Sequence, residues 1–314
     1  MDVRELRYFI CVARSGSFSR AASRLNIAQP ALSRQIKKLE DELGVQLLQR
    51  HGRGVTITER GALLLSEAEQ VIERLSRSLD LVKGGQEAFT GEVAVGVPPT
   101  SGLLIVPELY ESFRARWPQA TLIVREGIST LLEEWLMARR IDVAVMHNPT
   151  PLEGIELTPI LQERMVLACA PGHPAARPAG IRFRDLADVP LILPTLPHSN
   201  RRLLEREAIR HNIRLALALE IDSVPLIKVM VKRGVGATIQ TYAGVADETA
   251  RGEFVVRPIE HPPVTSTICI GMPGEAQASW LTLEAARLVR ACVARLVADR
   301  IWARARMVEE MRQP

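Results

Sequence analysis

Cysteine is sparse. Cys11, Cys169, Cys269 and Cys292 are the 4 in 314 residues, and no two form a C-x-x-C pair. That spacing argues against a structural zinc site and a disulfide framework, and the simple expectation is a reducing cytoplasm. No apolar run approaches the ~18 residues that cross a bilayer, so no membrane partner is expected. The opening MDVRELRYF lacks the apolar core of a signal peptide. Catalytic signatures are missing as well. There is no G-x-S-x-G and no H-E-x-x-H, and His51, His147, His173, His198, His211 and His261 are scattered. An enzyme needs a nucleophile, an acid–base pair or a metal in a cleft, so no catalytic residue, metal ligand or cofactor is expected.

What is present is unevenly distributed. Residues 1–60 hold 11 Lys and Arg against 6 Asp and Glu, which leaves 29 against 30 of the chain's 40 basic and 36 acidic residues. All the excess positive charge sits in the N-terminal segment, where it can attract a polyanion that an even spread could not.

Leu6, Phe9, Ile10 and Ala13 recur at helical spacing and predict a first helix over 3–14, ended by Gly16. Ser17 is a good N-cap for a second helix, with Phe18, Ala21, Ala22 and Leu25 on its buried side. After a turn at Asn26-Ile27, Pro30 opens a third helix. In it Leu32, Ile36, Leu39 and Leu43 form an apolar stripe, and Gln29, Ser33, Arg34 and Lys37 lie opposite. Glutamine and arginine suit base edges, serine a base or phosphate, and lysine a phosphate. Arg50 to Gly54 then makes a flexible basic tip, with Arg50 and Arg53, between two short strands. These features predict a winged helix-turn-helix over 1–58 whose third helix enters the major groove of double-stranded DNA.

Thr58 can cap a long helix that Gly84-Gly85 stops. Its Leu64, Ala68, Val71, Leu75, Leu79 and Val82 step by 3 or 4 residues, close to a coiled-coil seam. We expect 59–90 to be a linker helix and hinge that pairs with a second copy of the chain. From Gly91 strand and helix patterns alternate, implying an α/β unit with a mostly parallel sheet. Ligands in such sheets sit beyond the carboxyl ends of the strands, beside helix N-termini that favour anions. Thr100, Ser101, Ser129, His147, Thr195 and Ser199 fall at such positions, and Arg201 and Arg202 are nearby cations.

The N-terminal segment resembles the LysR-type transcriptional regulators, whose hallmark is a run similar to AAxxLxxxQPxLSxxIxxLExxLGxxLFxR. Here it stands as Ala21-Ala22, Leu25, Gln29-Pro30, Leu32-Ser33, Ile36, Leu39-Glu40, Leu43-Gly44, Leu47-Leu48 and Arg50. Leu48 replaces a usual phenylalanine, Ala28 a common Ser or Thr, and Arg60 a common alanine. Within EGISTLLEEWLMARRIDVAV, Arg139 stands where glycine is common. The resemblance implies that 91–302 is a two-subdomain effector domain similar to periplasmic binding proteins. Subdomain I would take 91–162 and 266–302 and subdomain II 163–265, with 303–314 outside as a tail. It also implies a homodimer, assembled as a tetramer (a dimer of dimers), that bends an inverted-repeat operator, with RNA polymerase a candidate partner. Thr100, Ser129 and Thr195 would line a cleft for a small co-inducer, expected to be a carboxylate or other anion that closes the subdomains. The rival reading is an architectural DNA protein that ignores small molecules.

Overall fold

The computed structural model describes residues 2–51, 54–83, 90–177, 179–274 and 277–308. They belong to two compact units, Met1–Gln86 and Glu87–Pro314.

In the first unit, α1 (Val3–Ser15) starts with a reciprocal cap. The Glu5 N–H donates to Asp2 Oδ1 at 2.7 Å and the Asp2 N–H to Glu5 Oε2 at 2.9 Å. Glu5 is buried, and Lys38 Nζ reaches it at 2.7 Å from α3 (Gln29–Leu43), holding its carboxyl below the usual range. Between them lies α2 (Phe18–Arg24), whose N-cap Ser17 accepts from the Arg20 N–H. Leu32, Ile36 and Leu39 bury against Phe9, Val12, Phe18, Ala21 and Ala22. Leu43, expected on the same stripe, is 38% exposed because α3 ends there at Gly44.

The strands β1 (Leu48–His51) and β2 (Gly54–Ile57) form the expected hairpin. Glu40 ties it to α3 by accepting the N–H groups of Leu47 and Leu48 at 2.8 and 3.1 Å. The Val55 N–H donates to the Gly16 carbonyl, so the wing also leans on the end of α1. Thr58 caps α4 (Glu59–Lys83) by accepting the Gly61 N–H at 3.0 Å. A Cβ on Gly61 would collide with the Leu47 carbonyl, so only glycine lets α4 pass this close to the wing.

The seam on α4 is not uniform. Leu64 packs on the core of its own unit, Ala68 is 2% exposed, and Arg14 pairs with Glu69 through two hydrogen bonds. Leu64 and Ala68 were both expected to face a second copy, but Ala68 is buried within its own unit and Leu64 packs on that unit's core. Val71 is 49% exposed and Leu75 half-buried, while the side chains of Leu79 and Val82 lie outside the described residues.

The second unit begins with β3 (Glu92–Val97), α5 (Pro99–Arg116), β4 (Thr121–Glu126), α6 (Ser129–Met137) and β5 (Val143–His147). These strands run parallel in the order β4-β3-β5. The long β6 (Ile155–Cys169) follows, and then β7 (Ile181–Arg182), β8 (Leu191–Leu193), α7 (Ser199–Arg210), β9 (Leu217–Glu220), α8 (Val224–Lys232), β10 (Thr238–Thr241), α9 (Ala246–Ala250) and β11 (Val255–Glu260). The chain returns through β12 (Thr265–Pro273), α10 (Trp280–Ala298) and β13 (Ala305–Met307).

The sheet is mixed rather than mostly parallel. β12 runs antiparallel to both β5 and β6, and β10, β11 and β13 are antiparallel to β6. The reason is that the chain crosses between two halves twice, once outward on β6 and once back on β12. Each half has its own core. Val95, Phe113, Trp117 and Val289 belong to one, and Leu167, Phe183, Leu191 and Leu204 to the other.

Part of the expected tail is built into the fold. Ala305 pairs with Glu163 and Met307 with Leu161. Just before them Trp302 is 1% exposed, and its Nε1–H donates to Glu163 Oε2 at 3.1 Å. Trp302→Ala is therefore expected to lower stability by about 3–5 kcal/mol through cavity formation, measured by urea denaturation of the full chain. A loss below about 0.5 kcal/mol, within the range of ordinary surface substitutions, would show that this segment is loosely held.

Candidate functional site

Two sites follow from the fold, one in each unit. In the first, Gln29, Pro30, Arg34 and Lys37 are exposed on α3 and Ser33 is half-buried, all away from the Leu32–Leu39 stripe. The Arg34 guanidinium makes no hydrogen bond or ion pair with a described residue. Lys37 is held by Asp41 at 2.6 Å, which raises its pKa; this exposed pair can be exchanged for a phosphate at small cost. The N-cap of α3 is Ala28, which supplies no side-chain acceptor, so the positive end of the helix is open to an anion. Arg50 lies on β1, with its side chain outside the described residues, and Arg53 lies outside them altogether.

In the second unit, the starts of α6 and α7 meet at a buried polar cluster. His147, at the end of β5, donates its backbone N–H to Ser129 Oγ at 3.0 Å. Its ring nitrogens contact two further hydroxyls, Nε2 with Ser101 Oγ at 3.3 Å and Nδ1 with Ser266 Oγ at 3.2 Å. From the other half, Ser199 Oγ donates to Ser129 Oγ at 3.4 Å. Asn148 Nδ2 donates to Asn200 Oδ1 at 3.2 Å and to Ser266 Oγ at 3.0 Å. Burial lowers the His147 pKa to about 4, and the neighbouring His198 acts in the same direction. The ring is thus neutral at pH 7, with one nitrogen donating and the other accepting. No residue of this cluster carries a charge.

The structure brings Ser101, Ser129, His147 and Ser199 together, as their positions at strand ends and helix starts predicted. Thr100 lies a step away, with its methyl group 3.3 Å from where a Cβ on Gly244 would stand. Thr195 is occupied elsewhere: its N–H and Oγ1–H both donate to Asp222, whose carboxyl they hold below the usual range. Arg201 is neither solvent-facing nor free. It is 4% exposed and bonds to Glu205, Glu220 and the Pro194 carbonyl, all in its own half. Arg202 lies 3.9 Å from Glu133 on α6, and its Nη2 is buried with no hydrogen-bond partner.

Sequence reasoning missed Ser266 and Glu133. Ser266 sits in a short alternating run, Thr265-Ser266-Thr267, where a buried serine between more open threonines is a weak signal. Glu133 is one helical turn beyond Ser129 and receives the Thr150 N–H and Oγ1–H, each at 3.3 Å.

Residues 3–62 match the family described as "Bacterial regulatory helix-turn-helix protein, lysR family", and residues 86–296 match "LysR substrate binding domain". The HTH-type transcriptional regulator BbuR of Bordetella bronchiseptica is 30% identical over 270 residues, 86% of this chain and 83% of that protein. Among solved structures, a single-substitution variant of full-length OxyR from Pseudomonas aeruginosa superposes with a TM-score of 0.72 at 27% identity, covering 100% of this chain and 99% of that one. Full-length CbnR complexed with its target DNA gives a TM-score of 0.55 at 27% identity, covering 93% and 99%. Burial raises the thiol pKa of Cys169, Cys269 and Cys292 here, the second to about 11, which disfavours thiolate chemistry at those positions.

The cluster makes stability pH-dependent. Below pH 6.5 an unfolded imidazole takes a proton that the native His147 refuses until about pH 4. Native stability relative to a His147→Gln variant is therefore expected to fall as pH drops through that window. Glu163 acts oppositely: burial raises its pKa from 4.5 to about 6, so acidification across that interval favours the native state. Comparing urea midpoints of wild type, His147→Gln and Glu163→Gln from pH 4 to 7 separates the two. A wild-type-minus-His147→Gln difference that stays flat would contradict a buried neutral ring.

Proposed function

This chain belongs to the LysR family of bacterial regulatory helix-turn-helix proteins, and from that premise we propose that it reads inverted-repeat DNA and answers to a small anion. The observation that carries the DNA reading is Arg34, an unpaired guanidinium on the exposed face of α3, near a helix start without a side-chain cap. Arg34 and Gln29 read base edges, while Ser33, Lys37, Arg50 and Arg53 hold the backbone. Pro30 sets the start of the helix. A second copy, joined along α4 from Val71 through Leu75, Leu79 and Val82, supplies the other half-site, and two such dimers form the tetramer. Leu64 and Ala68 support that seam from inside their own unit. The protein acts where the DNA is, in the bacterial cytoplasm, with RNA polymerase as its further partner.

The effector enters between the two halves of the second unit. Supporting this are the α5 and α6 starts, whose N-caps Pro98 and Ile128 offer no side-chain acceptor. Hydroxyl groups of Ser101, Ser129 and Ser199 and the buried Nη2 of Arg202 add donors for an oxyanion. Thr100 and Thr195 stand at the rim, the latter once released from Asp222. A small carboxylate fits this donor set, and its oxygens replace the direct Ser129–Ser199 and Asn148–Asn200 bridges. Since those bridges already join the halves, the effector re-sets their spacing rather than closing an open gap. The population of spacings then shifts by as much as the effector prefers one over the other.

Two substitutions test the parts. Arg34→Ala is expected to weaken binding to the preferred site by about 1–3 kcal/mol and to relax base choice at one position, measured by fluorescence anisotropy at fixed salt. Unchanged affinity would remove Arg34 from the reading surface. Thr100→Val is expected to blunt the thermal-shift response to a panel of small carboxylates while leaving DNA affinity intact. A normal response would remove Thr100 from the effector site.

A further inference from the structure

A second concave site lies on the other face of β12, the strand that gives Ser266 to the His147 cluster. Successive residues of a strand point to opposite faces. Ser266 of β12 contacts His147, and its neighbour Thr265 lines a separate cavity of about 280 Å³. Gln162 and Arg164 of β6 line the same cavity, as do Arg304 and Arg306 at the β13 edge. No carboxylate lines it, and none of these three arginines has an ion-pair partner among the described residues.

Two of the three guanidinium groups are held in place. Arg306 donates from Nε and Nη2 to Gln162 Oε1 at 3.2 and 2.6 Å. Arg304, with a left-handed φ of 61°, stacks over the Tyr242 ring at 4.3 Å. Antiparallel pairing of Ala305 with Glu163 brings Arg304 toward Arg164, one like charge beside another. Like charges lining one cavity repel unless something negative sits between them. An anion reverses the sign of that interaction, and the planar guanidinium fork matches carboxylate and phosphate oxygens.

We propose that this cavity binds a compact polyvalent anion, either a phosphate ester or a di- or tricarboxylate, as a site separate from the cleft. Its volume falls just below the range of drug-sized ligand pockets, roughly 300–1,000 Å³, which suits one headgroup and excludes a duplex. Because β12 gives Ser266 to the cluster and Thr265 to this cavity, an anion here clamps the C-terminal strand onto the crossing strands behind the cleft.

The test is a thermal melt of the full chain in sodium phosphate and in sodium citrate, each against sodium chloride at matched ionic strength. A saturable rise in Tm of roughly 3 °C or more is expected with at least one anion. Arg164→Gln, at an exposed position, should abolish that rise, and without anion should melt no lower than wild type because a repulsion has been removed. Ser129→Ala, in the cleft, should keep the rise. A response to phosphate alone assigns a phosphate ester, to citrate alone a polycarboxylate, and to both the shared oxyanion chemistry. The proposal is overturned by a rise that survives Arg164→Gln, by its loss in Ser129→Ala, by an anion-free Tm of Arg164→Gln below wild type, or by no rise beyond the chloride control.

Discussion

One strand governs the larger unit. β6 pairs with β12 and β13 along Ile155–Arg164 and with β10 and β11 along Met165–Cys169, so a single backbone sets the spacing of both halves. Met165 is fully buried, and its N–H donates to the Val264 carbonyl at the point where the chain crosses back. The His147 cluster and the arginine-lined cavity lie on opposite faces of this crossing. Anything that shifts β12 against β6 is felt at both.

Charge is partitioned around that crossing in three ways. The cleft cluster is neutral, because burial deprotonates His147 and its partners are hydroxyls and amides. The Glu163 carboxylate is buried nearby with N–H groups as partners: it accepts from the Ala243 backbone at 2.6 Å and from Trp302 Nε1. These bonds partly offset the cost of desolvating it and fix the start of the Tyr242–Val245 turn. The open face concentrates positive charge instead. A neutral cluster of adaptable hydroxyls exchanges one set of hydrogen bonds for another at low cost, whereas a buried ion pair would resist being opened. That difference suits the effector site proposed for this cleft.

Much of the first unit was legible because its local signals agree. Gly16, Ser17, Pro30 and Gly44 mark the helix boundaries, and the Leu32, Ile36 and Leu39 stripe marks the buried face. The second unit was legible element by element, since helix starts and strand ends carry the small hydroxyl residues that meet at His147. What the sequence did not disclose were contacts between distant segments. The pairing of Ala305 with Glu163 joins residues far apart in the chain, and no local pattern distinguishes such a strand from a tail. Arg201 has the same composition signal as Arg202, yet one is saturated by Glu205 and Glu220 and the other faces Glu133 at 3.9 Å with no hydrogen bond at its buried Nη2. Leu64 and Ala68 have coiled-coil spacing because any helix packed on a neighbour needs that spacing, and here α4 packs on α1 within its own unit. Arg139 adopts a φ of 51°, a left-handed turn after α6 that explains why glycine is common there.

The central claim is that this is a sequence-reading DNA regulator, and selection from a library of random duplexes tests it most directly. The full-length protein is mixed with the library at physiological salt, and the retained duplexes are sequenced. Enrichment is expected of inverted repeats whose half-sites are separated by about one helical turn of DNA or a multiple of it, as two copies of α3 require. A retained pool indistinguishable from the input would contradict it and leave an architectural protein that binds any duplex through its charge.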